Sequence, residues 1–166
     1  MTKKPSPSKP TAPAAPEKKP EPGGAGDAAP SFKEATLADA VFDDVDLARA
    51  RLHNVTLTRA DLDDVDLSEA RVHNVTLKGS NFDDCSLEGA RLHNVTFKGA
   101  SLDDVALVEA KISNADLAQS RWSDVSLKGA RLEDVDLSGV EIIDAKIDGL
   151  TINGVRIDEL LKATSK

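Results

Sequence analysis

From Phe32 to Ile157 every fifth residue is large and apolar, and the count never slips. Two positions before each stands a small or β-branched residue, such as Ala40, Val45, Ala50, Ser80 or Cys85. A helix cannot bury this pattern, because five residues advance it by ~500° and smear the large side chains over every face. A simple alternating strand fails as well, since the spacing is two and then three. What fits is a short extended segment that ends in a corner. The first and third slots of each five-residue unit point inward and the second points out. The fourth and fifth turn the chain through about a right angle. Twenty-six such units follow one another without insertion or deletion. Four corners close a square, so twenty residues make one coil.

The fifth slot tests this geometry. All seven glycines after Pro30 fall there, and most other fifth slots hold Asp or Asn, including Asp44, Asn54, Asp64, Asn74 and Asn94. These residues tolerate the positive φ that a type II turn requires. All eight prolines lie between Pro5 and Pro30, as a coil that donates backbone N–H groups to its neighbour demands. The phrase Ala50–Thr56 returns at Ala70–Thr76 and Ala90–Thr96 and carries all three histidines. A catalytic site is built once from unlike residues, so three copies in register read as architecture.

Ala60-Asp61-Leu62 and Ala115-Asp116-Leu117 match the A-(D/N)-L-X-X unit, and on such units residues 31–157 resemble the pentapeptide repeat proteins. The resemblance implies an all-β fold, a right-handed quadrilateral β-helix of about six and a half coils. At ~4.8 Å between stacked strands the rod is ~30 Å tall. The ending GLTINGVRIDELL resembles the C-terminus of a bacterial subgroup of the family.

The termini differ from the rod. Residues 1–30 mix Pro, Lys and Ala with nothing large and apolar to bury, which predicts a disordered arm. Residues 158–166 are expected to form a short cap, with Asp158 as N-cap of a helix over Glu159–Ala163. Leu160 and Leu161 then either cover the last coil or pair two rods end to end, giving a monomer or a C-terminal homodimer. The bulky Leu150 in a first slot suits a core closing at that end, while Phe32 begins the first strand with little to cover it. The N-terminus has no apolar signal stretch, no run approaches a membrane span, and Cys85 has no partner for a disulfide. A cytoplasmic protein with no membrane contact is the expectation.

A period of twenty turns each outward slot into a ladder. One face carries Arg51, Arg71, Arg91, Lys111 and Arg131, with His53, His73 and His93 and then Asn54, Asn74, Asn94 and Asn114 beside it. The threonines Thr36, Thr56, Thr76 and Thr96 line the next. On the far side run Asp43, Asp63, Asp83 and Asp103 in slot four, beside Asp44, Asp64, Asp84 and Asp104 in slot five. The asparagines read as corner residues and the histidines as stacked surface residues. Three imidazoles in a line do not converge on a zinc ion. Slot five accounts for its aspartates as turn formers, but slot four does not. Like charges ~5 Å apart repel by nearly 1 kcal/mol per pair even in water. That stripe is either a solvated face, a partner-binding surface or a divalent-cation site.

No nucleophile–base pair, phosphate-binding glycine loop or metal-ligand cluster stands out, and no loop insertion leaves room for a pocket. No cofactor is implied. The chain reads as a non-enzymatic scaffold for a protein partner. The alternative comes from the family, some of whose members bind type II topoisomerases such as gyrase through an acidic, DNA-like rod and dimerise through their C-termini. Residues 1–30 hold five lysines against Glu17, Glu21 and Asp27, a net of +2, so of the chain's −8 the remainder carries −10. That balance suits a phosphate mimic and disfavours direct nucleic-acid binding.

Overall fold

The computed structural model describes residues 29–164. The arm expected over residues 1–30 thus lies, except for Ala29 and Pro30, outside the described residues.

The chain winds into a β-solenoid. One sheet contains β1 (Ser31–Lys33), β3 (Arg51–Thr56), β5 (Arg71–Thr76), β7 (Arg91–Thr96), β9 (Lys111–Asp116), β11 (Arg131–Asp136), β13 (Thr151–Ile152) and β14 (Val155–Arg156), in that order. The other contains β2 (Val41–Asp46), β4 (Asp61–Asp66), β6 (Asn81–Asp83), β8 (Ser101–Asp103), β10 (Arg121–Ser123) and β12 (Glu141–Ile143). Neighbours pair in parallel at an offset of twenty residues, as in Leu52↔Val72↔Leu92↔Ile112. The six-residue strands run through a corner, so each sheet is bent around one edge of the square.

The inward slots form one continuous core, with Trp122, Phe82, Phe97 and the leucine column fully buried. Burying each such side chain is worth about 1.5–3 kcal/mol. Polar residues in the first slot are satisfied internally. Ser80 Oγ donates to the Leu57 carbonyl at 2.5 Å, and Ser120 Oγ to that of Leu117 at 2.7 Å while accepting Trp122 Nε1–H at 2.9 Å. The third-slot column from Phe32 up to Leu92 lines a narrow apolar cavity of about 20 Å³, room for roughly one water. Phe32 is half-buried there.

Every fifth-slot residue from Glu34 to Gly154 has positive φ, so the corners lie where the pattern places them. They are of two kinds that alternate from corner to corner, so each kind recurs every ten residues. At Leu47–Ala50, Leu57–Ala60 and Phe97–Ala100 the last N–H closes on the first carbonyl at 3.0, 3.1 and 2.8 Å. At Phe82–Cys85 and Leu102–Val105 that bond is absent, and the N–H groups of Asp84 and Asp104 reach the next coil at 3.2 Å. All the rod's glycines except Gly154 sit at corners of the first kind, and the Asn and Asp ladders at the second.

The C-terminal end departs from the expectation. The parallel coil stops at Ile152 instead of running to Ile157. Asn153 and Gly154, both at positive φ (48° and 79°), turn the chain back so that β14 pairs antiparallel with β13. Asn-Gly is the strongest two-residue hairpin former, and here it overrides the five-residue count. Helix α1 spans Ile157–Thr164, so Asp158 lies in its first turn and is no simple N-cap. The carboxylate is buried, accepting two hydrogen bonds from Arg156 at 2.9 and 2.8 Å and one from the Gly149 N–H at 3.3 Å. Leu160 and Leu161 are 51% and 50% exposed and do not cover the last coil. Leu150 is buried, with Ile152 and Ile157 packed against the core.

Candidate interaction surfaces

Successive corners of one coil fall at residues 44, 49, 54 and 59, so the Asp44 corner and the Asn54 corner are diagonal from each other. Strands β2, β4, β6 and β8 hold Asp43, Asp63, Asp83 and Asp103 in direct register. All four are exposed, as are Asp44, Asp64, Asp84 and Asp104 beside them. The slot-five residues sit at φ between 48° and 51°, where Asp is a usual occupant. Above Asp103 the column changes character, and Ser123 Oγ donates to Asp103 Oδ1 at 2.5 Å. Partial desolvation, with the carboxylates of Asp83, Asp43, Asp61 and Asp64, raises the pKa of Asp63. Asp63, in the middle of the row, thus bears the repulsion of its neighbours.

The cation face is equally regular. Arg51, Arg71, Arg91, Lys111 and Arg131 are register partners along β3, β5, β7, β9 and β11, and all are exposed. None makes an ion pair among the described residues. Three arginines elsewhere, Arg59, Arg121 and Arg156, do. Arg59 grips Asp39 through two bonds of 2.7 Å, and Arg121 reaches Glu141 at 2.9 Å.

Beside this face His53, His73 and His93 stack with ring centroids 5.2 and 5.3 Å apart, and His93 Nδ1 shares a hydrogen bond of 3.0 Å with Ser113 Oγ. The rings run along the rod and converge on no point. Among the described residues no group of His, Cys, Asp or Glu is arranged to hold a metal ion. Next to them the amides of Asn74, Asn94 and Asn114 each donate to the asparagine one coil below, at 2.6, 3.0 and 3.4 Å. This corner is cross-linked by its own repeated side chain, whereas the aspartate column gains such a bond only at Ser123.

Sequence reasoning missed two features. One is the clamp of Arg156, Asp158 and Gly149, whose signal was an Arg-x-Asp just past the hairpin. The other is the set of exposed apolar side chains of the last coil and cap, where Ile142, Ile143 and Val155 join Leu160 and Leu161. Ile143, the bulkiest apolar residue in any fourth slot, could have flagged it. No helix among the described residues is long and apolar enough to cross a membrane.

Residues 75–160 match the family profile described as a pentapeptide repeat region, and residues 31–69 the one described as pentapeptide repeats (8 copies). No curated protein matches the sequence. Solved structures with a similar winding include QnrB1, a plasmid-mediated fluoroquinolone resistance protein, at 13% identity and a TM-score of 0.35, covering 84% of this chain and 98% of that one. A pentapeptide repeat protein of the Arabidopsis thaliana thylakoid lumen is 18% identical at a TM-score of 0.30, covering 80% and 76%. Another, alr5209 from Nostoc PCC 7120, is 22% identical at 0.37, covering 58% and 84%.

Proposed function

This chain belongs to the pentapeptide repeat family, and on that premise we propose that it is a non-enzymatic scaffold engaging a protein partner through its aspartate edge. The carrying observation is that Asp43, Asp63, Asp83 and Asp103 stand exposed in one register while the pKa of Asp63 is raised by desolvation and neighbouring charge. The turn does not need them, and they repel one another, so a basic partner surface is what gives them a use. One-signed stripes of this kind steer partners and make association salt-dependent. The filled core supports the same reading, because it offers a small substrate nowhere to sit. The site of action is the cytoplasm, and the Lys- and Pro-rich segment over residues 1–30 is a second contact.

A second reading is favoured by the same edge together with the net −10 of the rod. Carboxylates in a straight exposed row resemble a phosphate backbone, which makes a type II topoisomerase such as gyrase the partner. The two readings part in one pair of assays, using wild type and the Asp43→Asn/Asp63→Asn/Asp83→Asn/Asp103→Asn variant. The scaffold reading expects a partner captured by wild type, released by salt and lost with the variant, while supercoiling by purified gyrase is unaffected. Inhibition of gyrase by wild type alone would establish mimicry instead. Equal capture by both proteins would remove the edge from the function altogether.

A further inference from the structure

We propose that the cation face is a docking surface for the aspartate edge of a second copy of this chain, so that rods associate side by side. Three observations meet here. The first is that Arg51, Arg71, Arg91, Lys111 and Arg131 make no ion pair among the described residues, whereas three other arginines, Arg59, Arg121 and Arg156, hold carboxylates. Five exposed cations in one line repel one another as the aspartates do, and docking one ladder against the other relieves both.

The second is pitch. Stacked strands set the cations ~4.8 Å apart, whereas duplex DNA offers one charge per ~1.7 Å of its axis. A partner that presents carboxylates at the spacing of the cation ladder is another rod of the same winding. Its Asp43, Asp63, Asp83 and Asp103 rise by the same step. Asp43 and Asp44 belong to the same coil as Arg51, and Asp103 and Asp104 to the same coil as Lys111. A sideways displacement with no slip along the axis therefore matches the four rungs from Arg51 to Lys111 at once. Single exposed ion pairs are weak, but rungs fixed on two rigid surfaces form together or not at all.

The third is placement. The aspartate edge is diagonal from the Asn54 corner, into which the cation face runs. The two surfaces lie on different sides of one rod, with the corner at Arg49 between them, so a copy bound through one leaves the other open. Such a contact is heterologous and does not close, and it yields rows that lengthen with concentration. Net negative charge opposes this at long range, but a Debye length of ~8 Å at physiological salt screens whole rods more than touching rungs.

Sedimentation of the full chain tests the proposal. At about 50 mM salt the wild type is expected to grow in mass with concentration, and to return to monomer at about 500 mM. Reversing one ladder, by Arg51→Glu/Arg71→Glu/Arg91→Glu or by Asp43→Lys/Asp63→Lys/Asp83→Lys/Asp103→Lys, is expected to weaken association at least tenfold while circular dichroism melts confirm the fold. Mixing the two reversed chains should restore it, since each supplies what the other lost. A wild type that stays monomeric throughout overturns the proposal, as does association indifferent to both reversals, which would point to an end contact through Leu160 and Leu161. A monomer that instead binds heparin through the arginines would assign the face to a polyanion. The inference rests on reading the ladders as contact surfaces, yet it fails separately. A foreign partner lost with the Asp→Asn variant, beside a monomeric wild type, would overturn self-association alone.

Discussion

Replacing Gly99 with valine isolates the conformational cost of a corner. Gly99 sits at φ +65°, its N–H donates to the Ala118 carbonyl at 2.9 Å, and the turn closes through Ala100 N–H on Phe97 at 2.8 Å. An added Cβ would meet nothing within 4 Å, so no clash contributes and the cost lies in the backbone. Left-handed φ costs an ordinary residue about 1–2 kcal/mol, and a β-branch raises that toward about 3. For a chain of this size the melting temperature falls by roughly 2–4 °C per kcal/mol. Gly99→Val should therefore lower it by roughly 2–12 °C. Its neighbour Lys98 occupies the exposed fourth slot, and Lys98→Val should stay within about 0.5 kcal/mol of wild type. Gly99→Asn should recover most of the loss, since Asn94 already sits at φ 55°. Urea melts of the three variants decide the matter. Equal losses at 98 and 99, or an Asn as costly as Val, would refute the assignment of strain to slot five.

Trp122→Ala should cost about 3–5 kcal/mol in urea melts, because it empties the largest core position and strips Ser120 of its donor. Burial pushes the Cys85 thiol up to about 11. A thiol reagent at about pH 8 should then react only as fast as the rod opens. Hydrogen bonds from Arg156, with that from Gly149 and against desolvation, hold the Asp158 carboxyl well below the usual carboxylate range. A depressed folded-state pKa stabilises above the ordinary value of about 4 and is lost as pH falls further. The wild-type melting temperature should accordingly drop toward that of Asp158→Asn in acid. Asp63 has the opposite sign, because its raised pKa penalises folding once the group ionises. Asp63→Asn should melt higher than wild type at neutral pH, and the gain should vanish below about pH 3.

Most of the fold was legible because its rule is local and repeated. The two-then-three spacing from Phe32 to Ile152 allowed one geometry, and positive φ at Glu34, Arg49, Glu69 and Gln119 bears it out even where the residue gave no hint. Repetition also concealed things. The alternation of glycine corners with Asn and Asp corners was present in the sequence, but treating every fifth slot as equivalent erased it. Counting onward by fives carried the reading past Asn153-Gly154, where a two-residue turn outweighed the period. The ladders were placed correctly, since register follows from the count of twenty. Which charges pair was not legible, because Arg59 with Asp39 and Arg156 with Asp158 depend on which long side chain reaches which corner. Leu160 and Leu161 pointed to a buried end, and the hairpin fills that place with Leu150, Ile152 and Ile157.

The two corner types make the rod sensitive to the length of any deletion within it. Removing twenty residues shortens the rod by one coil and leaves every ladder straight. Removing ten keeps each glycine at a bonded corner, yet it swings the remainder by half a turn, so that aspartates continue the columns of histidines and asparagines. Removing five swings it by a quarter turn and delivers Asn and Asp to bonded corners and glycines to the others. A frame thus exists at the level of the folded chain, with twenty as its silent step. The surface pattern is addressed by residue count, and an indel can rewrite which charges share an edge without altering a single buried side chain.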